Sequence, residues 1–390
     1  MSGFPELHWT EDGVARQARW QSESALPPPT AVVVVDDRTS ADAALRLARA
    51  GTALLWRGDY HNGRHLLDAM ARRVDRHAAR DAHPKQGNAL DARQAFERHR
   101  AEQARRARIL SQLLLPFEPG HVLPLRRAPD VAEACTEAHG QAGEPYVMAM
   151  RELLGIIGAH EWRTKGIAIA ALEARIHPHY GVFAPIRTEY VDLVATAPFA
   201  GAPPSTAFDV GTGTGVLAAV LARRGISRIV ATDSDPRAIA CAHDNAERLG
   251  LSSRIEATVR PFFPEGRAAL IVCNPPWLPG RPSASIERAI FDPDSEMLRG
   301  FLRGLGAHLT PGGEGWLILS DFAERLGTRT RGWLLQQMHD AGLSVVGKLD
   351  AKPRHPKAAD AADPLHAVRA AEIVSLWRLR SDPVAAPAAT

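Results

Sequence analysis

From Phe183 onward, short apolar runs alternate with helical patterns. The runs at Ala207–Val210, Arg228–Thr232, Leu270–Cys273, Gly315–Leu319, Leu343–Val346 and Glu372–Trp377 predict strands. Between them, Val216–Arg224 and Arg237–Leu249 predict helices, the second closed by Gly250 as a C-cap. Strands and helices in this rhythm predict an α/β fold with an open, doubly wound, mostly parallel sheet. Lys352–Ala362 is rich in Pro and Ala and predicts an irregular connection, and residues 381–390 predict a disordered tail. One α/β domain is therefore expected over residues 182–380.

The first 181 residues carry a weaker pattern. Ala31–Val35 and Thr52–Trp56 predict strands, Ser40–Ala50 and His65–Arg76 predict helices, and Gly58–Gly63 reads as a turn. A long helical stretch is predicted between Ala89 and Leu115. The expectation is a separate N-terminal recognition domain over residues 1–181, either α/β or mainly helical. Its order is also compatible with a degenerate α/β unit.

Composition changes this picture little. A chain of 390 residues with 45% hydrophobic and 23% charged residues is ordinary for a globular protein with ample core. No apolar run approaches the roughly 20 residues of a membrane span, and the acidic N-terminus lacks a signal pattern. A cytoplasmic protein is expected. Cys135, Cys241 and Cys273 are far apart and support neither a zinc site nor a disulfide framework. Net charge is only +3, but twelve Lys or Arg stand against six Asp or Glu between His61 and Leu110. Those arginine-rich helices suit phosphate contacts, and equally a solvated helix face.

Two motifs carry chemistry. Asp209-Val-Gly-Thr-Gly-Thr-Gly215 joins an apolar strand to an apolar helix. Such a turn brings backbone close to a ligand, though it also permits tight strand–helix packing. Its alternating glycines differ from the dinucleotide fingerprint, and Asp209 suits an ammonium better than a pyrophosphate. Asp233 ends the next strand, where a carboxylate can take both hydroxyls of a ribose.

These residues resemble the class I S-adenosylmethionine-dependent methyltransferases with a "methyltransferase small"-type domain. The resemblance implies a Rossmann-like sheet and S-adenosyl-L-methionine as cofactor. Gly211, Thr212, Gly213, Thr214 and Gly215 would then hold its methionine part. Asp209 would lie beneath its amino group, and Asp233 would bind its ribose.

The second motif is Asn274-Pro275-Pro276-Trp277, which follows an apolar strand. An amide or aromatic amine nitrogen is a poor nucleophile, because its lone pair is delocalised. Two acceptors gripping its N–H groups, the Asn274 side-chain oxygen and the Pro275 carbonyl, would orient it. Prolines stiffen the loop, and Trp277 offers a face for stacking. Oriented carbonyl dipoles would stabilise the positive charge that the nitrogen gains. Neither a metal nor a covalent nucleophile is required. A Pro-Pro turn after a strand is also ordinary loop structure.

The tetrapeptide resembles the Asn-Pro-Pro-aromatic motif of amino-methyltransferases, in which Tyr or Phe is the more usual fourth residue. Members act on exocyclic amines of adenine and guanine, or on the glutamine amide of release factors. The implied acceptor is RNA, ribosomal RNA included, or a protein glutamine. Asn274 falls in both the catalytic and the cofactor set. Gly181–Tyr190 is similar to the Pro-Arg-Pro-x-Thr-Glu segment of release-factor glutamine methyltransferases, with Ala184, Pro185 and Ile186 departing from it. Thr188 and Glu189 read equally as a helix start.

Relatives carry an acid after the third strand to face adenine. Here Arg260 or Pro261 stands there, leaving backbone groups and the ring of Phe262 to recognise adenine. That departure keeps open a non-catalytic cofactor- or RNA-binding module, and a small-molecule methyltransferase is a further alternative. Leu278–Asp294 reads as a long loop, with Asp294 and Ser295 capping a helix whose Leu298, Phe301, Leu302, Leu305 and Leu309 face the core. His177-Pro-His179 with Glu173 is thin support for a metal.

Overall fold

The computed structural model describes residues 5–24, 26–81, 91–282, 285–354, 360 and 363–382. The chain forms two compact units, Met1–Leu90 with Glu97–Glu161, and Asp91–Phe96 with Trp162–Thr390. Most of the tail predicted over 381–390 lies outside the described residues.

The N-terminal unit is α/β. A hairpin of β1 (Glu6–Glu11) and β2 (Val14–Trp20) closes on Asp12 and Gly13, both in the left-handed region. Asp-Gly is suited to that two-residue turn. The chain continues through β3 (Val32–Val35), α1 (Ala41–Arg49), β4 (Ala53–Trp56), α2 (Tyr60–Asp81), α3 (Ala92–Leu110), β5 (Leu113–Phe117), α4 (Ala132–His139), β6 (Tyr146–Ala149) and α5 (Met150–Lys165). The sheet order is β1-β2-β6-β5-β4-β3, with β3, β4 and β5 mutually parallel. Val-Val-Val-Val, Ala-Leu-Leu-Trp and Leu-Leu-Leu-Pro-Phe are the continuous apolar strands that such a sheet favours.

Two expectations change here. The turn predicted over Gly58–Gly63 is largely helix, since α2 begins at Tyr60. Gly63 is a packing residue: a Cβ there would lie 2.8 Å from Met150 Cε and 2.9 Å from Trp56 Nε1. The long helix expected up to Leu115 ends at Leu110, because Leu113–Phe117 is buried as the strand β5. Residues 89–90 lie outside the described ones.

The C-terminal unit begins with a small hairpin, β7 (Ile167–Ile169) and β8 (Ala174–Ile176), and then α6 (Glu189–Thr196). Its main elements are β9 (Thr206–Val210), α7 (Val216–Arg223), β10 (Arg228–Asp233), α8 (Pro236–Arg248), β11 (Ile255–Val259) and β12 (Ala268–Cys273). After a short pair, β13 (Leu278–Pro279) and β14 (Phe291–Asp292), come α9 (Glu296–His308), β15 (Leu309–Ser320), α10 (Phe322–Arg325), α11 (Arg331–Asp340), β16 (Leu343–Ala351) and β17 (Val374–Ser381). The sheet order is β11-β10-β9-β12-β15-β17-β16, and only β17 runs antiparallel to its neighbours.

Residues of α6, α7 and α8 form one apolar core with the sheet, and those of α9 and α11 form a second. The doubly wound α/β sheet is thus present. Asp294 and Ser295 do not cap α9. They adopt left-handed backbone without a capping bond. The carboxylate of Asp292 accepts instead from Met297 N (2.9 Å) and Leu298 N (3.0 Å). Leu298, Phe301, Leu302 and Leu305 are buried as expected, whereas Leu309 already belongs to β15. Among the described residues, no helix is long and apolar enough to cross a membrane.

Candidate active site

The glycine turn, the acidic strand end and the Asn-Pro-Pro-Trp loop leave three neighbouring strands at one level. Val210 pairs with Thr232 on one side and with Cys273 on the other. Gly211, Asp233 and Asn274 therefore each follow this aligned row, Asp233 as the last residue of β10. From β9 the chain builds outward through β10 and β11, then returns to place β12 on the other side. Open α/β sheets bind ligands at such a switch point.

The turn is fixed by its own hydrogen bonds. Gly211 N and Thr212 N both donate to Thr232 O, at 2.8 and 2.9 Å. Gly213 N donates to Asp233 Oδ2 (3.0 Å), and Asp235 N to Oδ1 (3.0 Å). Gly213 has φ +55° and a Cβ there would meet nothing within 4 Å, so the turn is open on that side. Gly215, at φ +79°, is the packing glycine, since its Cβ would press on Ala242 Cα at 3.2 Å. The two roles of a glycine turn, ligand approach and close helix packing, fall on different glycines.

Asp209 is 1% exposed. Its Oδ2 accepts from Thr212 Oγ1 (2.7 Å) and Ala218 N (3.1 Å), while Oδ1 is buried without a hydrogen-bond partner among the described residues. Burial pushes this carboxyl up to about 6, against the opposing hydrogen bonds from Thr212 and Ala218. Burial also raises Asp233. For an acid raised in the folded state, the protonated form is favoured by folding. Any stability from Asp209 protonation is full below its ordinary value and is lost as pH rises through about 6. Relative to Asp209→Asn, the unliganded chain should lose up to about 3 kcal/mol as pH rises from 4 to 7. Urea titrations across that range test this, and parallel pH profiles for the two chains would contradict it.

Asn245 was not singled out from the sequence, yet it is 1% exposed and joins two segments. Its Nδ2 donates to Thr214 O (3.1 Å) and to His177 O (3.2 Å), and its Oδ1 accepts from His177 N (2.7 Å). His177 Nδ1 lies 2.6 Å from Arg163 O, and His179 Nε2 3.0 Å from Asp244 Oδ2. The two histidines thus serve backbone and ion-pair contacts, and the described residues contain no metal-ligand cluster.

Trp277 Nε1 donates to Asn274 Oδ1 at 2.8 Å. That oxygen, expected to grip an acceptor, keeps one lone pair for it. The Arg187 guanidinium lies 4.8 Å from the centroid of the Trp277 ring, so one ring face is already covered. Arg187 in turn donates through Nε to Glu189 Oε1 (2.6 Å) and through Nη1 to Glu372 Oε1 (3.1 Å). Glu189 and Glu372 are each 1% exposed, and Ser320 Oγ donates to Glu372. Thr188 stands at the start of α6 without a side-chain capping bond. The Pro185–Glu189 segment therefore reaches the Asn274–Trp277 loop through Arg187.

At the third strand, Arg260 pairs with Glu265 (3.0 Å). The Phe262 carbonyl accepts from Thr232 Oγ1, and its ring lies against Gly300 of α9, where a Cβ would collide with it.

A sheet of this order, with a glycine turn at its switch point, is Rossmann-like and resembles that of the S-adenosylmethionine-dependent methyltransferases. Residues 173–326 match the family model described as Methyltransferase small domain. The Release factor glutamine methyltransferase of Cereibacter sphaeroides is 34% identical over 167 residues, covering 39% of this chain and 58% of that protein. The Ribosomal protein L11 methyltransferase of Pelotomaculum thermopropionicum is 46% identical over 74 residues, covering 18% of this chain and 24% of that protein. The chain thus spans less than two thirds of the relatives it resembles. A solved ribosomal protein L11 methylase from Lactobacillus delbrueckii subsp. bulgaricus matches 49% of this chain and 76% of its own, with 19% identity and a TM-score of 0.32.

Proposed function

We propose that this chain transfers a methyl group from S-adenosylmethionine to a planar nitrogen, the side-chain amide of a glutamine in a protein. The alignment of Gly211, Asp233 and Asn274 at three adjacent strand ends carries the reading. On this reading the residues for the cofactor and for the acceptor share one edge of the sheet.

The residues fit the cofactor. The buried, unpartnered Oδ1 of Asp209 is an acceptor in want of a donor, which an ammonium supplies. The open side of Gly213 leaves room for a ligand against the turn. Asp233 has four lone pairs against backbone donors from Gly213, Ser234 and Asp235, which leaves acceptor capacity for a ribose hydroxyl, and Thr212, Thr214 and Phe262 complete the set. When bound, S-adenosylmethionine supplies a methyl group carried on a positively charged sulfur. Asn274 Oδ1 and the Pro275 carbonyl then accept the two N–H groups of the acceptor amide. They hold its nitrogen in one orientation and stabilise the positive charge that develops there. Pro276 stiffens the loop, and Trp277 offers the ring face that Arg187 leaves uncovered.

A protein amide is favoured over an RNA base by the likeness to the glutamine methyltransferase over 167 residues. The purified chain should transfer tritiated methyl groups to a release factor, and a Gln→Ala change at the acceptor should remove the label. Labelling of deproteinised ribosomal RNA alone would refute the choice of acceptor. Cofactor affinity should weaken about tenfold between pH 7 and pH 5, as Asp209 takes up a proton.

A further inference from the structure

Arg329 is a buried cation that the site described above leaves unused. It is 6% exposed, and its Nε and Nη2 are buried without a hydrogen-bond partner among the described residues. Burial pulls its guanidinium down from the usual arginine range. The backbone here is fixed from both sides. Ala323 O of α10 accepts from Thr328 N (3.0 Å) and Arg329 N (3.3 Å), and Thr330 caps α11 by accepting from Trp333 N (3.1 Å). The acids whose charge Arg329 feels are engaged elsewhere. Asp292 accepts from Met297 N and Leu298 N, and Glu324 accepts through both oxygens from Arg331 Nε, at 2.9 Å each. Topology places this residue on the acceptor side of the sheet. β15 is the parallel neighbour of β12, with Leu317 opposite Cys273, so the loop after Ser320 opens at the same edge as Asn274–Trp277. Leu278, which follows Trp277, shares an apolar cluster with Phe291, Phe322, Ala323 and Leu326, and Pro279 pairs with Asp292. The strand that leaves the motif is thus packed on the helix that holds Arg329.

We propose that Arg329 receives a carboxylate that the acceptor carries beside its amide, and so selects acidic acceptors; this rests on the amide reading of the Asn274–Trp277 loop. Nε and Nη2 form one edge of the guanidinium, and their parallel N–H bonds match the two oxygens of a carboxylate. The chain uses that edge in this way elsewhere. Arg378 donates through Nε to Glu314 Oε2 (2.8 Å) and through Nη2 to Oε1 (2.9 Å), and Arg127 holds Asp59 in the same manner at 2.7 and 2.9 Å. A buried donor without an acceptor is unfavourable, which favours any state in which the edge gains one. A neutral carbonyl would leave the charge uncompensated. A phosphate would bring further oxygens and a second charge into the field of Asp292 and Glu324, and one guanidinium edge cannot satisfy them. An acidic side chain next to a peptide glutamine and the α-carboxylate of a free amide share the required chemistry.

The full chain, saturated with S-adenosylhomocysteine, is titrated calorimetrically with a blocked peptide in which glutamates flank one glutamine. The same peptide with methionines or phosphoserines in place of the glutamates is compared with it, as is N-acetylglutamine with its methylamide. The glutamate peptide should bind about tenfold tighter than the methionine peptide, and no more weakly than the phosphoserine peptide. A like preference for N-acetylglutamine over its methylamide would assign the carboxylate to a free amide; a preference confined to the peptides assigns it to a side chain. Arg329→Met should reduce the preference to within about twofold while cofactor affinity holds. Its unfolding midpoint in urea should equal or exceed that of the unaltered chain, because an unpaired buried charge is removed, whereas a purely structural arginine would lower it. Arg329→Lys keeps the charge without the fork and should lose about fivefold of the preference; it carries the test if the Met variant does not fold. Equal binding of the glutamate and methionine peptides (absence of binding below about 1 mM included), tighter binding of the phosphoserine peptide, or a preference that survives Arg329→Lys would overturn the proposal. Methyl transfer to both peptides with equal binding would overturn it and leave the amide reading standing. Carboxylate-dependent binding without methyl transfer would keep Arg329 as the carboxylate site and sink the amide reading instead.

Discussion

Asn274→Ala should leave S-adenosylmethionine affinity within about threefold of the unaltered chain while methyl transfer falls by about 10²–10³-fold. In the proposed function the substitution removes one of two acceptors for the amide, and a group that acts on developing charge loses rate rather than cofactor binding. Equilibrium dialysis and the tritiated-methyl assay separate the two quantities. Activity within tenfold of the original would sink the assigned role. Trp277→Phe is the informative companion. Because Trp277 Nε1 already donates to Asn274 Oδ1 at 2.8 Å, the indole competes with an acceptor N–H for that oxygen. Its removal frees the oxygen at a cost of about 1 kcal/mol. Acceptor KM should therefore fall or hold, which separates this loop from one that depends on the indole for grip.

Local signals made the C-terminal sheet legible. Its strands are short and apolar, its helices periodic, and Gly250 adopts φ +67° just past α8, as a stop signal requires. The N-terminal unit was harder, because its evidence is spread over longer distances. The strand β6 (Tyr-Val-Met-Ala) continues directly into the helix α5, so the periodicity changes without any punctuation. The β1–β2 hairpin carries a local mark in Asp12-Gly13, preceded by the alternating exposure of β1. Leu113–Phe117 shows the limit of an apolar run: it extends a helical pattern equally well, and only pairing with β4 and β6 makes it a strand.

The candidate site divides in the same way. Asp209, the glycine turn, Asp233 and Asn274–Trp277 are contiguous motifs whose spacing carries their meaning. Asn245 is an ordinary helix residue in sequence, and its links to Thr214 and His177 exist only once α8 is packed. Arg187 and Glu372 stand 185 positions apart, so no local pattern could pair them. The resemblance around Pro185–Glu189 rests on Thr188 and Glu189. The side chain that reaches Trp277 is Arg187.

Arg187→Met should destabilise the chain by about 3–5 kcal/mol, the usual cost of removing one partner from a buried ion pair. Glu189 and Glu372 are both almost fully buried and would share no cation. At about 2–3 kcal/mol per molar urea, the unfolding midpoint should fall by roughly 1–2 M. Adding Glu372→Gln should recover part of the loss, since one buried charge is then removed. Failure of that rescue would mean that the ion pairs do not set the stability. A positioning role predicts more than instability. With Arg187 gone from the face of Trp277, the loop loses its tie to α6 and to Glu372 just ahead of β17, and kcat should fall about tenfold beyond the loss of folded protein, while cofactor Kd holds. Arg187→Lys keeps the charge but not the fork that spans Glu189 and Glu372, so it should recover stability more fully than kcat. Equal recovery of both would reduce Arg187 to a structural tie.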